Sequence, residues 1–254
     1  MNTFKAYIKK EILEALRQYK YLIIAVGIIL FAVSGPIMLK LMPIILKSQS
    51  GIDANAINAD KLMTIQYCLQ SFISSLYQIS IMFIVFTVCT SIAEEITLQK
   101  LVFPYSKGAS PLFIVISKFI NYSISVLVLT TVGIFINHYY AGILFKSSDV
   151  TTSKLFTVSL LVSLYFIFNI ALVLFFSSFI KKSLPAGIVT LVIGYASAVI
   201  IKLPQIDKFI PYKLINDSSA LTFNDTTFTV FFTAILTGVF LIATVYRMNH
   251  VEII

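Results

Sequence analysis

Tryptophan is absent from this sequence, cysteine and histidine occur twice each, and charged residues make up only 12%. Each shortage excludes something. Cys68 and Cys89 are 21 residues apart, about 31 Å if they share one helix, too far for a disulfide. They read as small buried hydrophobes. His138 and His250 fall near opposite ends of the apolar region, and His138-Tyr139-Tyr140 reads as an interfacial belt rather than a catalytic cluster. A P-loop needs glycine directly before its lysine, and none of the nine glycines is followed by Lys. No catalytic or metal-ligating set emerges, and the chain is expected not to be an enzyme.

The low charge accompanies 58% apolar residues and a mean hydropathy of +0.94. A soluble fold of 254 residues cannot cover itself from so little polar surface, so a bilayer must take up the excess. The formal charge of +8 is then a quantity that sits beside anionic lipid headgroups rather than a nucleic-acid signal.

Stretches without charge give six candidate spans: Tyr21–Leu39, Leu69–Ala93, Phe119–Phe145, Leu155–Ile180, Ser183–Ile201 and about Phe228–Tyr246. Each approaches or exceeds the roughly 20 residues needed to cross about 30 Å of hydrocarbon as a helix. The expected fold is all-α, a single polytopic domain over residues 1–254. Residues 1–20 carry too many charges for a cleaved leader and read as an interfacial amphipathic helix. Phe4, Ile8, Ile12, Ala15, Leu16 and Tyr19 share an arc of about 120° at 100° per residue. Gly35-Pro36 is expected to kink or end the first span.

Lysine and arginine set the orientation. With both termini cytoplasmic, the inner side carries about +6 and the outer about +2, and the inner positives crowd the span ends. The outer segment 202–225 holds Phe209-Ile210-Pro211-Tyr212, too short to span and suited to a short interfacial helix pair. No span has a charge at mid-membrane, which disfavours ion coupling.

Two stretches carry functional expectations. Gln66, Gln70, Ser74 and Gln78 recur every four residues in the second span, either lining a translocation path or packing helices. Between the second and third spans, residues 94–107 mix charge with Leu98, Leu101, Val102 and Phe103. That pattern fits a short helix showing an apolar face to another protein, or a loop lying on lipid headgroups.

The chain resembles the ABC-2-type permeases, the membrane subunits of ATP-driven exporters. The residues that carry the likeness are Lys9-Lys10-Glu11 leading into the first span, Glu94 or Glu95, then Thr97-Leu98, Pro104 and Ser106-Lys107. Lys118 and the proline-containing segment before the last span add to it. Ile96 stands where the family commonly has glycine. The resemblance implies an ATPase-coupling region formed by Glu94, Glu95, Thr97, Leu98, Leu101 and Phe103. It implies a separate ABC ATPase subunit that holds ATP and Mg, a second permease chain, and a path lined by the second and fifth spans. This chain would hold no cofactor itself. Short permeases of this kind are similar to exporters of amphipathic or antimicrobial peptides, phenol-soluble modulins among them. The expected cargo is an amphipathic or hydrophobic peptide, toxin or antibiotic. The excess of lysine over arginine, with abundant Ile, Asn and Phe, suggests an AT-rich genome and the plasma membrane of a Gram-positive bacterium. A secondary transporter or channel not coupled to ATP is the alternative.

Overall fold

A computed structural model describes residues 3–50, 64–106, 108, 110–145, 150–180, 182–201, 207–223 and 226–250; the side chains of 3, 43–50 and 103 lie outside that description. The described residues are helical, without strands. They form α1 (Thr3–Arg17), α2 (Lys20–Ser50), α3 (Ile65–Ser75), a π-helical turn (Leu76–Ser80) and α4 (Ile81–Thr97). Then follow α5 (Val102–Ser106), α6 (Pro111–Leu144), α7 (Thr152–Phe179), α8 (Ser183–Ile200), a 3₁₀ turn (Asp207–Phe209), α9 (Lys213–Ala220) and α10 (Thr226–Asn249).

Six of these units are long and apolar enough to cross a membrane: Lys20–Met42, Ile65–Thr97, Pro111–Leu144, Thr152–Phe179, Ser183–Ile200 and Thr226–Asn249. They coincide with the six charge-free runs and extend most of them. α7 forms the centre, buried over 78% of its most apolar window, whereas α10 is buried over only 22% and presents most of its surface outward. α7 packs against α4, α6, α8, α9 and α10. We call the end of the bundle that carries α1 the near end, and the end that carries α9 the far end.

Close approach explains two glycines. A Cβ on Gly27 would lie 2.7 Å from Phe83 Cβ, and one on Gly133 would lie 2.7 Å from Ile28 Cγ2. At these two points a side chain of α4 or α2 packs directly on bare glycine backbone, in space that a Cβ would occupy.

Proline 36 does not end its helix, contrary to one of the two expectations, since α2 continues to Ser50. Proline lacks the N–H that would pair with the carbonyl four residues back, here Ala32. The amide of Asn137, fully buried on α6, donates to that carbonyl at 3.2 Å. An orphaned carbonyl in an apolar surround costs about 1–3 kcal/mol, so Asn137 supplies what Pro36 removes. We expect Asn137→Ala to lose about that amount of stability, and Pro36→Ala to reduce the loss to under about 1 kcal/mol. Thermal unfolding of the two single variants and the double variant in detergent measures the coupling. Equal losses in both backgrounds would contradict it.

At the far end, α9 caps the bundle. Ile210, Leu214 and Ile215 are buried, and Lys213 pairs with Asp207 at 2.8 Å. Tyr212 meets Tyr77 at 4.6 Å and Tyr165 at 6.4 Å between ring centroids. The helix closes at Leu221 in the left-handed region, φ 55°.

Candidate functional site

The near end is organised by a cluster of charges contributed by α1, α4 and α6. Tyr19, at φ 57°, breaks the chain between α1 and α2. That turn lets α1 lie along the first turns of α6, where Phe4 meets Phe113 at 5.8 Å. The packed face of α1 includes Phe4, Tyr7, Ile8, Glu11 and Ala15, and Glu11 is only 3% exposed. Ile12, Leu16 and Tyr19, half of the expected apolar arc, are instead exposed.

Glu11 meets Lys118, which is 1% exposed and lies two turns inside α6 rather than at its head. Lys118 Nζ donates to Glu11 Oε1 at 2.8 Å and lies 3.0 Å from Glu95 Oε1. Glu95, in the last turns of α4, also accepts from Lys10 at 2.6 Å. Two buried acids thus face one buried and one half-exposed ammonium, and the four charges cancel. Removing each ion from water costs several kcal/mol, so only this mutual pairing makes the burial tolerable.

The same pairing perturbs neighbours. Burial alone would weaken the charge of Lys10, but the Glu95 and Glu11 carboxylates together outweigh it and raise its pKa above the ordinary value. The Tyr105 phenol, ordinarily 10.0, is pushed up to about 12, first by burial and then by Glu95. A phenol that ionises later in the folded state leaves stability intact below pH 10.0 and erodes it between 10.0 and about 12. Tyr105→Phe should therefore lessen the fall in Tm from about pH 9 to about pH 11; an unchanged fall would contradict this.

Glu11, Glu14 and Glu95 also bring carboxylate oxygens within 4.8 Å of one another, a spacing that suits a cation. Lys10 and Lys118 already hold one oxygen of each carboxylate at 2.6–3.5 Å, whereas Glu95 Oε2 is buried without a hydrogen-bond partner among the described residues.

The expected coupling residues divide at the turn that follows α4. Lys100 N–H donates to Glu95 O and Gln99 N–H to Ile96 O, the paired bonds of a Schellman ending with Gln99 left-handed at φ 53°. That turn sends Leu101 inward, 2% exposed, and leaves Leu98 and Val102 outward at 59% and 44%. Thr97 is exposed and Glu94 half-exposed, whereas Glu95 is buried in the cluster. Glu95 and Leu101 are therefore buried within the chain, whereas Thr97, Leu98 and Val102 are exposed. The Phe103 side chain and Lys107 lie outside the described residues.

Gln66, Gln70, Ser74 and Gln78 are all exposed on one side of the bundle, opposite buried Cys68, Leu69, Phe72 and Leu76. Cys68 and Cys89 are both free and buried. In an unbroken α-helix an every-fourth row rotates slowly around the axis. The π-helical turn at Leu76–Ser80 takes an extra residue per turn and counters that drift. Tyr195 on α8 donates to Gln78 O at 2.6 Å within the turn, and Tyr77 donates to Gly194 O at 3.3 Å. Ser74 bonds back to Gln70 O, but no partner within the described residues takes the three glutamine amides. Amides at span depth need a polar partner or water.

Lys118 and Asn137 are the residues that sequence reasoning left without these roles. A signal for the cluster was present: Phe4, Ile8, Glu11 and Ala15 form one helical row, which places an acid in an apolar seam. The chain matches no protein-family model and no curated protein.

Proposed function

We propose that this chain is the membrane subunit of an ATP-driven exporter of the ABC-2 permease kind. In this reading the near end is cytoplasmic, α1 lies at the inner membrane interface, and the exposed Ile12, Leu16 and Tyr19 rest against lipid. An ABC ATPase subunit, which holds ATP and Mg, docks on the turn Thr97–Val102 through Leu98 and Val102. A second permease chain faces the stripe of Gln66, Gln70, Ser74 and Gln78, and the amphipathic or hydrophobic cargo, a peptide, toxin or antibiotic, passes between the two. The membrane is the plasma membrane of a Gram-positive bacterium.

One observation carries the reading. The exposed apolar turn at residues 98–102 is fastened, through Glu95, to both α1 and α6 by bonds of 2.6 and 3.0 Å. Force applied to Leu98 therefore reaches the ends of two spans and the N-terminal helix together. A device driven by a partner needs such a rigid junction and no chemistry of its own. Elsewhere the described charges cluster near helix ends, which agrees with a pathway powered from outside the chain.

A cysteine placed at Leu98 tests the docking surface. We expect it to crosslink, in native membranes, to a polypeptide bearing a glycine-lysine phosphate loop, with a yield that changes on adding ATP. Crosslinking to lipid-facing reagents alone, with no such polypeptide, would contradict the assignment.

A further inference from the structure

A groove of about 550 Å³ runs down the near half of the bundle between α2 and α4. Its walls are Ile23, Met82, Phe83 and Phe86, and its mouth holds Lys20 and Glu94. Lys20 is the unusual member. It is 8% exposed, it lines the groove, and none of the ion pairs among the described residues includes it. Lysines 10 and 118, in the cluster at the same end of the bundle, are both claimed by carboxylates. Its stem is buried, Glu14, Glu11 and Glu94 act on Lys20 only from beyond ion-pair distance, and an ammonium held at such a mouth without a carboxylate in contact favours an anion. Lys20 also opens α2, so the positive end of that helix dipole faces the same mouth.

The shape narrows the class of anion. From Glu94 at the mouth to Ile79 at the foot the groove follows 15 residues of one span, about 22 Å at 1.5 Å per residue. Half of a bilayer including its headgroups is about 20–22 Å thick. The groove is therefore one leaflet deep, charged where headgroups lie and mainly apolar where acyl chains lie, the hydroxyls of Thr87 and Thr90 donating back to carbonyls of their own helix. We infer that it is a phospholipid site: the lipid phosphate pairs with Lys20, hydroxyls of the headgroup donate to Glu94, and one acyl chain lies on Ile23, Met82, Phe83 and Phe86. The inference requires only that the six helices span a membrane and does not depend on the exporter reading.

Native mass spectrometry of the delipidated full chain, with added dioleoylphosphatidylglycerol, tests it. We expect one tightly retained lipid on the wild type, about fivefold weaker retention in Lys20→Gln, and near wild-type retention in Lys20→Arg. Dioleoylglycerol, which has the same chains and no phosphate, should bind no better to the wild type than to Lys20→Gln. Lys9→Gln removes an exposed charge from α1 and should leave retention unchanged. Helical content of each variant by circular dichroism separates lost binding from lost folding. Equal retention by wild type and Lys20→Gln would overturn the proposal, as would equal binding of phosphatidylglycerol and dioleoylglycerol. Displacement of the lipid by inorganic phosphate alone at millimolar concentration would overturn the leaflet-lipid assignment.

Discussion

Lys118→Met is expected to cost about 3–5 kcal/mol, the largest loss of stability that any single substitution at the near end should produce. Methionine matches the length and volume of the lysine stem, so packing on α6 is kept while the charge is removed. Glu11 and Glu95 would then remain buried, at 3% and 2% exposure, with only the half-exposed Lys10 between them. Breaking a buried pair is far more costly than replacing all of it, because the cost lies in the uncompensated charge. Hence Lys118→Met combined with Glu11→Gln and Glu95→Gln should regain most of the loss. Thermal unfolding in detergent reads the magnitude, and amide exchange across Thr3–Arg17 reads the location. Release of α1 in the single variant with recovery in the triple is the expected pattern. A triple variant as weak as the single would show that lysine packing, not charge, mattered.

The second prediction concerns activity rather than folding. On the proposed exporter reading, Leu98→Asp with Val102→Asp should reduce ATP-driven transport by about tenfold or more, while the bundle stays folded. Both side chains point outward, so the exchange buries no charge and opens no cavity. A carboxylate placed in an apolar interface loses its water without gaining a partner, which strongly disfavours docking. Leu101→Asp is a different experiment. At 2% exposure it would place a charge in the core and unfold the turn, so a loss of transport there would say nothing about docking. The measurement is transport and copurification of the ATPase, with Tm as the control.

The spans were readable because lipid imposes one simple demand, some twenty residues without charge, and all six runs obey it. The same criterion misplaced the start of α6. Lys118 interrupts an otherwise apolar stretch, so the run appeared to begin after it, although the helix starts at Pro111. A buried lysine becomes intelligible only with its partners, and these are 107 and 23 residues away. Pro36 shows the same limit: its carbonyl is rescued from another helix, and no local pattern announces Asn137. At the turn after α4, a left-handed residue is usually signalled by glycine. Here it is Gln99, so nothing in the sequence indicated that Leu101 would turn inward while Leu98 stayed out. The polar stripe was legible from its spacing of four. The π-helical turn that keeps it on one side has no residue signature of its own.

The central claim is that this chain moves its cargo only when another subunit supplies the energy. Proteoliposomes holding the full chain, with and without the ATPase that crosslinks at Leu98, and loaded with a fluorescent amphipathic peptide, test it most directly. The account predicts peptide movement that requires both subunits, ATP and Mg, and that disappears in the Leu98→Asp, Val102→Asp variant. Peptide movement by the chain alone, driven by a proton or sodium gradient, would contradict it.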